Sequence, residues 1–256
     1  MTVESQQVTY ERDGAVIYIT LNRSEKLNAI TMAMHHAVMA AFRRFEADDE
    51  VYIAVLRGVG RAFCAGRDLG ESVDPGKSPT EGVDAEVTGY GIPPISKLIV
   101  TSGRGPAIGV GGYMLMAGDI RVASDNLQFA LTEVPMGVLG AYWIQQCEML
   151  PPTVAFRLAM GDRLSVDELK HWGLVTEVVA DSDLESATRK WVEWLLSLPR
   201  QHAIATKVLM KQTGFAFTPE LFRREYEVRG RLDALTDTRE AAQAFIERRP
   251  PRFIGA

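Results

Sequence analysis

The chain has 256 residues, of which 46% are hydrophobic and 24% are charged. This length and composition are typical of one globular domain and exclude a disordered chain, a collagen-like repeat and a coiled coil. The formal net charge of -5 predicts no strong attraction to nucleic acid or to an anionic membrane surface. Two cysteines cannot form a disulfide framework and the first residues contain no apolar signal core, so we expect a cytoplasmic protein.

Apolar runs alternate with helix-like segments in the first half of the chain. Residues 16–21 and 51–56 are predicted strands, and Thr31 is the predicted N-cap of a helix with apolar residues at helical spacing. The alternation predicts an α/β architecture in which helices cover a sheet. Residues 71–94 are rich in Gly, Pro, Ser and Asp, which predicts a long surface loop of the kind that often forms a lid.

The second half is predicted to be mostly helical. An apolar stretch at 95–100, a short helix at 111–117 and a strand at 120–123 come first, and helices dominate from residue 151 onward. Ser165 and Glu168 have the spacing of a capping box, and Gly173 is the predicted end of that helix. Further helices are predicted around 184–198, near 219–235 and at 239–248.

Several known site motifs are incomplete. Residues 76–78 imitate a phosphate-binding loop, but the spacing from Gly70 is too long and Pro75 interrupts the segment. Met114 stands where a dinucleotide fingerprint needs its third glycine. The four histidines are scattered and no Cys/His cluster has ligand spacing, so no metal site is predicted. No G-x-S-x-G elbow supports a serine hydrolase.

Two glycine-bearing segments remain as candidates. Residues 60–69 follow a predicted strand with small residues that permit close backbone approach, and Asp68 is a candidate helix cap. Residues 105–113 end by opening an apolar helix, so free amides at its start would face an anion or a polarised carbonyl. The alternative for each segment is that glycine serves tight strand-helix packing.

Glu133 is the candidate acid or base. It lies among apolar residues, and Val134, which precedes Pro135, is biased to an extended backbone. Desolvation there would raise the pKa of the carboxyl group toward neutrality, which suits proton transfer. The alternative is a surface glutamate flanked by core residues.

Six motifs follow one another along most of the chain. They are N-R-x-x-K-L-N-A at 22–29, F-C-A-G-x-D-L at 63–69, G-P-A-I-G-x-G-G at 105–112, D-I-R-V-A at 119–123, F-x-x-x-E-V-x-x-G at 129–137 and G-L-V-x-E-V-V at 173–179. In this order they resemble the crotonase (enoyl-CoA hydratase/isomerase) superfamily. The resemblance implies an α/β fold, the crotonase-like β-β-α superhelix (ClpP/crotonase fold). It also implies a core with an acyl-CoA site in residues 1–195 and a helical trimerisation region in residues 196–256.

The resemblance assigns roles to individual residues. The backbone amides of Arg67 and Val110 would bind the thioester oxyanion, which requires no particular side chain at either position. The positions that would line the acyl-CoA site are Lys26, Leu27, Ala65, Gly66, Asp68, Leu69, Gly109, Tyr113 and Trp143. Lys26 and Leu27 fall where the family contacts the nucleotide, and Trp143 would reshape the acyl pocket or pack in the core.

The chemistry depends on two positions. Hydratases of this family present two glutamates to one water, and the motifs put Glu133 at the second of them and Tyr113 at the first. The resemblance therefore implies an enoyl-CoA hydratase of fatty acid metabolism with Glu133 as acid and base. Because a phenol is a poor base at neutral pH, a Δ3-Δ2 enoyl-CoA isomerase is the first alternative. A non-catalytic acyl-CoA-binding protein is the second.

The resemblance also implies partners. The substrate would be an acyl-CoA thioester, with coenzyme A as part of the substrate and no separate cofactor, metal, nucleic acid or membrane. The family assembles as homotrimers or dimers of trimers, whose terminal helices complete a neighbour's CoA site. Lys207, Lys211, Arg248 and Arg249 are candidates for contacts with CoA phosphates, and exposed helix charges are the alternative.

Overall fold

The computed structural model describes residues 7–68, 70, 91–136, 150–213, 227–228, 231–232 and 235–255. Its strands are β1 (Val8–Asp13), β2 (Val16–Leu21), β3 (Ile53–Gly58), β4 (Leu98–Gly103), β5 (Pro106–Ile108), β6 (Ile120–Ser124), β7 (Gln128–Ala130) and β8 (Glu177–Val179). Its helices are α1 (Met32–Ala47), α2 (Val110–Met116), α3 (Pro152–Ala159), α4 (Val166–His171), α5 (Leu184–Leu196), α6 (Arg200–Thr213) and α7 (Thr236–Glu247). Short 3-10 turns lie at Ser24–Lys26 and Asp181–Asp183.

The strands form one large and one small sheet. The large sheet has six strands in the order β1-β2-β3-β4-β6-β8, and the small sheet pairs β5 with β7. Strand β1 runs antiparallel to β2 because a tight turn joins them, and the other pairs are parallel. The chain passes directly from β4 of the large sheet to β5 of the small sheet.

Both faces of the large sheet are buried. Ile17 and Ala54 belong to a core that includes α1, whereas their neighbours Val16 and Ile53 belong to a second core with α5. Alternate residues of a strand face opposite sides, so a sheet covered on both sides needs continuous apolar strands. This is why the strands at 16–21 and near 51–56 are recognisable as unbroken apolar runs.

Helix α1 packs on the face of the large sheet that carries Ile17 and Ala54. Thr31 accepts a hydrogen bond from the Met34 amide at 3.1 Å, which confirms the predicted N-cap. Val38, Phe42 and Phe45 follow at helical spacing and are fully buried. Burying each such side chain stabilises the fold by about 1.5–3 kcal/mol relative to leaving it exposed.

The predicted strands and helices that fall within the described residues are confirmed with small shifts, whereas strands β1 and β5 lie outside the predicted elements. Strand β3 begins two residues later than predicted because Val51 and Tyr52, although buried, belong to the turn that enters it. The capping box is present: the Ser165 hydroxyl accepts from the Glu168 amide at 3.2 Å. The prediction of an almost entirely helical chain from residue 151 onward is wrong at β8, which pairs with β6 at the edge of the sheet. Three residues are too few to produce a recognisable strand pattern.

Helix α6 is fixed to the sheet by a buried ion pair. The Lys207 ammonium lies 2.7 Å from the Asp119 carboxylate and donates to the Lys97 carbonyl. Burial lowers the pKa of Lys207 to about 8. This burial removes Lys207 from the candidates for a CoA phosphate contact. The division at residue 195 between core and helical region stays a prediction, as does the helix near 219–235, most of which lies outside the described residues.

Gly105 shapes the crossing from the large sheet to the small one. Its φ is +52°, and a Cβ there would overlap the carbonyl oxygen of Arg61. Its amide donates to Asn126 and its carbonyl accepts from Gln128, each at 2.8 Å. The crossing therefore needs a residue that tolerates positive φ and has no side chain.

We expect Gly105→Ala to lower the free energy of unfolding much more than Gly14→Ala. Gly14 has a similar φ of +58°, but no atom lies within 4 Å of its added Cβ. Gly14→Ala would therefore cost only the left-handed backbone, about 1–2 kcal/mol, and Gly105→Ala about 1–3 kcal/mol more from overpacking. Denaturant unfolding at one protein concentration checks this, and equal losses would contradict it.

Candidate active site

The two glycine-bearing segments lie side by side. Cys64 pairs in parallel with Ala107. The Cys64 amide donates to the Pro106 carbonyl at 2.8 Å, and the Ile108 amide donates to the Cys64 carbonyl at 3.0 Å. The end of the 60–68 segment and the start of α2 are thus held in one register, although more than forty residues separate them in sequence.

Glycines allow the close approach that this register requires. A Cβ on Gly66, whose φ is +102°, would lie 3.0 Å from the Ile108 carbonyl oxygen. A Cβ on Gly111 would overlap the Cys64 carbonyl oxygen and lie 2.9 Å from its Sγ. Burial raises the pKa of the Cys64 thiol to about 12, so the thiol stays protonated and does not act as a nucleophile at neutral pH. The packing interpretation of these glycines is therefore confirmed, and their role in a binding site stays a prediction.

The orientation of the Arg67 amide is set by a hydrogen bond to the carbonyl of the same peptide group, that of Gly66. The Gly66 carbonyl accepts a hydrogen bond from the Ile30 amide at 2.8 Å, and the peptide is trans. In a planar trans peptide the N–H points away from the C=O. The Arg67 amide therefore points away from Ile30, and it has no acceptor among the residues that the structure describes.

The amide of Val110 is held in the same way. It is the first residue of α2, and the preceding carbonyl, that of Gly109, accepts from the Tyr113 amide at 3.0 Å. The Val110 amide then projects from the start of the helix, where N–H groups have no partner within the helix. Within the described ranges no acceptor contacts it. The structure thus presents two oriented backbone donors on adjacent segments.

Glu133 lies beside the second donor segment. It follows β7 in a turn, and β7 is tied to the start of α2 because the Gly109 amide donates to the Ala130 carbonyl at 2.9 Å. A Cβ on Gly109 would lie 3.5 Å from Oε1 of Glu133. The Glu133 side chain is therefore adjacent to the peptide that precedes the Val110 amide.

The carboxyl group of Glu133 is poorly solvated. Its Oε2 is buried and has no hydrogen-bond partner in the part of the chain that the structure describes. Burial raises the pKa of Glu133, while its own backbone amide and the Tyr113 hydroxyl act in the opposite direction. The predicted direction of the pKa shift is confirmed. The arrangement suits a group that takes up and returns a proton.

The turn that carries Glu133 packs against the segment between α3 and α4. Gly161, with φ +86°, comes so close that a Cβ there would overlap the ring of Pro135 and lie 3.2 Å from the Leu131 carbonyl. Phe129 of β7 also forms an antiparallel bridge with Leu164. The region between α3 and α4 therefore helps to fix where the Glu133 side chain lies.

The predicted substrate-binding residues Lys26 and Leu27 belong to a segment that runs beside the segment of Arg67. The Ala65 amide donates to the Leu27 carbonyl at 2.9 Å, so the 22–30 segment runs along the 64–68 segment. Lys26 is exposed at the end of a 3-10 turn, and Leu27 is half-buried. Their location is compatible with contacts to a ligand that reaches the Arg67 amide.

Asp68 has protein partners of its own. Its carboxylate accepts from the Arg23 guanidinium at 2.5 Å and from the Gly70 amide at 2.8 Å, and these bonds lower the pKa of Asp68. The Gly70 contact matches the predicted capping role, whereas the ion pair was not predicted. Leu69, Trp143 and most of the predicted 71–94 loop lie outside the described residues.

Sequence reasoning missed two residues that shape the site, Arg23 and Asn28. Asn28 is fully buried with φ +55°, and its side chain donates to the carbonyls of Val59 and Ala62 at 3.0 and 2.8 Å. Asparagine tolerates the left-handed backbone better than most residues. The available signal was a polar Asn28 between the apolar residues Leu27 and Ala29.

No group of three or more His, Cys, Asp or Glu residues that would hold a metal ion occurs in the described part of the chain. Over the same residues, none of the helices combines the length and the apolar character needed to cross a bilayer.

Comparison with known proteins identifies the family. Residues 11–256 match the enoyl-CoA hydratase/isomerase family. The chain belongs to this family. A probable enoyl-CoA hydratase of Rhodobacter capsulatus is 31% identical, with 97% of this chain and 98% of the relative covered. The 1,2-epoxyphenylacetyl-CoA isomerase of Escherichia coli is 29% identical, with 95% and 96% covered.

Solved structures agree with the fold assignment. An enoyl-CoA hydratase/isomerase from Mycobacterium paratuberculosis superposes with a TM-score of 0.87 at 28% identity, covering 98% of this chain and 99% of that one. The crotonase-like α/β fold implied by the motifs is confirmed. The relatives carry both hydratase and isomerase names, so family membership supports an acyl-CoA enzyme without deciding its reaction.

We expect the pKa of Glu133 to lie above the ordinary value for glutamate, and Tyr113→Phe to raise this pKa further. Burial disfavours the carboxylate, and the phenol is one of the groups that favour it. Infrared difference spectra between the protein and Glu133→Gln, recorded against pH, would isolate the protonated carboxyl band. A band that titrates in the ordinary range, or a lower pKa in Tyr113→Phe, would contradict this prediction.

Proposed function

We propose that this enzyme adds water across the double bond of a 2-enoyl-CoA thioester. The proposal is supported above all by the combination of two oriented amides, at Arg67 and Val110, with a buried carboxylate on the adjacent turn. Acyl transfer and enolate chemistry both need such donors where negative charge develops on the thioester oxygen. The carboxylate supplies the proton transfer that the amides cannot.

The two amides would act on the thioester carbonyl. As a nucleophile attacks C3 of the enoyl group, electrons move to the carbonyl oxygen and an enolate forms. Amides that already point at this oxygen need no reorganisation, and each is worth about 10²–10³ in rate. Because the donors are backbone groups, the Arg67 and Val110 side chains are free to vary.

Glu133 would carry the proton. Its carboxylate accepts a proton from water while the water oxygen bonds to C3, and the resulting carboxylic acid returns that proton to C2 of the enolate. The carboxylate is regenerated and the 3-hydroxyacyl-CoA contains all the atoms of the substrate and one water. In this step Tyr113 would donate a hydrogen bond to the water, since a phenol does not act as a base at neutral pH.

A second candidate reaction is migration of the double bond from a 3-enoyl to a 2-enoyl thioester. The observation that favours it is Tyr113, a phenol at the position where the family's hydratases carry their first glutamate. Glu133 would then remove a proton from C2 and return it to C4, through a dienolate held by the same two amides. This reaction needs one carboxylate and no water.

The remaining proposals concern the setting of the reaction. We propose that coenzyme A enters as part of the substrate and that no separate cofactor takes part. We also propose a cytoplasmic enzyme that assembles as a homotrimer or a dimer of trimers through its C-terminal helices. Sedimentation velocity of the full chain tests the assembly, and a monomer at micromolar concentration would contradict it.

We expect the protein to hydrate crotonyl-CoA or a longer 2-enoyl-CoA, with loss of the absorbance of the conjugated thioester. Glu133→Gln should lower the rate by about 10²–10⁴, since it removes the acid-base group and keeps the shape. Glu11→Gln, an exposed change on β1, is the control and should leave the rate unchanged.

A 3-enoyl-CoA incubated in deuterated water separates the two reactions. Hydration alone leaves the 3-enoyl double bond in place, whereas isomerisation shifts it and exchanges the C2 and C4 protons. A protein that binds CoA esters tightly but turns over neither substrate, with Glu133→Gln behaving like wild type, would instead be a non-catalytic family member.

A further inference from the structure

We propose that Arg23 and Asp68 are positioning residues that aim the Arg67 amide at the substrate oxygen. This inference rests on the proposed function, because it assigns a cause to the geometry of one of the two donors. Neither side chain needs to touch the substrate. Their effect would pass through the backbone on both sides of Arg67.

The ion pair between these residues is short and largely shielded from solvent. Arg23 Nη1 lies 2.5 Å from Asp68 Oδ2, and the two side chains are 14% and 19% exposed. The same Nη1 donates to the Ala29 carbonyl at 3.0 Å. One guanidinium nitrogen therefore joins residue 29 of one segment to residue 68 of the other. An ion pair in this setting is screened less than the exposed pairs that contribute little.

The backbone between the two segments forms a ladder around Arg67. The Ile30 amide donates to the Gly66 carbonyl at 2.8 Å, and the Asp68 amide donates to the Ile30 carbonyl at 2.9 Å. Arg67 pairs with Ile30 between these two bonds. The Arg23 bridge lies at the same end of the ladder, so it opposes any separation of the two strands at Arg67.

The Arg23 end of the bridge is itself fixed. The Arg23 amide donates to Oδ1 of Asn28 at 2.8 Å, and Nδ2 of Asn28 donates to the carbonyls of Val59 and Ala62. A Cβ on Gly58 would lie 2.7 Å from that Nδ2, so the amide group is closely packed against the end of β3. The ion pair therefore connects Asp68 to a part of the molecule that the main sheet holds rigid.

Among the residues that the structure describes, no ion pair flanks the other donor. Val110 is the first residue of a helix, and the hydrogen bond from the Tyr113 amide to the Gly109 carbonyl holds its peptide. The Arg67 peptide lies outside any helix, and its two flanking backbone bonds to residue 30 belong to an isolated bridge. This difference explains why a side-chain bridge would be needed at one donor and not at the other.

Loss of the bridge should affect rate more than binding. A displacement of about 1 Å at a catalytic group costs on the order of 10² in rate, so we expect Arg23→Ala to lower kcat by about 10–100-fold. KM should change by less than about threefold, because neither side chain has to contact CoA for this effect. Arg23→Lys should recover part of kcat, since an ammonium keeps the charge but lacks the planar geometry of the guanidinium.

A double variant tests whether Arg23 and Asp68 act through one shared bridge or affect the rate independently. Arg23→Ala combined with Asp68→Ala should be no slower than the slower single variant, because both remove the same bridge. Arg23 and the Gly70 amide bond to different oxygens of Asp68. Asp68→Asn keeps one acceptor oxygen and loses the other oxygen and the charge, so its kcat should lie between wild type and Asp68→Ala. If the kcat of the double variant falls by the product of the two single-variant factors, the proposal is contradicted.

The direct test is the infrared band of a bound thioester carbonyl. Butyryl-CoA labelled with ¹³C at the thioester carbon gives a carbonyl band that moves to lower wavenumber when the oxygen accepts hydrogen bonds. We expect the wild-type complex to show this shift and Arg23→Ala to show a smaller one at saturating ligand. Arg12→Ala removes an exposed ion pair with Glu50, 2.8 Å long, and is the matched control with an unchanged band.

The outcomes distinguish the inference from the proposed function. A wild-type band at the position of free butyryl-CoA would overturn the proposed function and this inference with it. A normal wild-type shift that is unchanged in folded Arg23→Ala, with unchanged kcat, would overturn the inference alone. Circular dichroism checks folding. If Arg23→Ala does not fold, the same measurements are made on Arg23→Lys and Asp68→Asn. A carbonyl band and a kcat equal to those of wild type in both variants would then overturn the inference.

Discussion

The pairing of Cys64 with Ala107 is the contact on which the candidate site depends. Two hydrogen bonds, of 2.8 and 3.0 Å, join a segment that leaves β3 to one that enters α2. Arg67 lies three residues beyond this pair and Val110 three residues beyond its partner, so the register of one short ladder sets the relation between both donors. A slip of one residue would reverse which groups face each other.

The main-chain origin of the two donors explains the distribution of small and large residues around them. Gly66, Gly109 and Gly111 are confined by neighbouring backbone or by positive φ, whereas Arg67 and Val110 would contribute only N–H groups. The electrostatic part of the proposed chemistry would thus be built into the fold. What differs between reactions in such a scaffold is the set of side chains around the acyl group, here represented by Glu133 and Tyr113.

Much of the fold and part of the site could be predicted from the sequence. Buried parallel strands and amphipathic helices have strong local patterns, so β2, α1 and the Ser165 capping box were recognisable. Strand β8 was missed because three residues at a sheet edge carry no periodic signal. The partners of Asp68 and the role of Asn28 were missed because they depend on contacts between segments distant in sequence, which spacing along the chain does not encode. Family motifs predicted the two donor positions, and the structure gives the hydrogen bonds that orient both amides.

The central claim is that the Arg67 and Val110 amides bind the same oxygen while Glu133 faces the carbons next to it. A crystal structure of the protein with a saturated acyl-CoA tests this directly. The account predicts a thioester oxygen about 2.7–3.1 Å from both amide nitrogens, with the Glu133 carboxylate about 3–3.5 Å from C2 or C3 of the acyl group. A thioester oxygen held by side chains elsewhere, with Glu133 turned away from the acyl group, would contradict it.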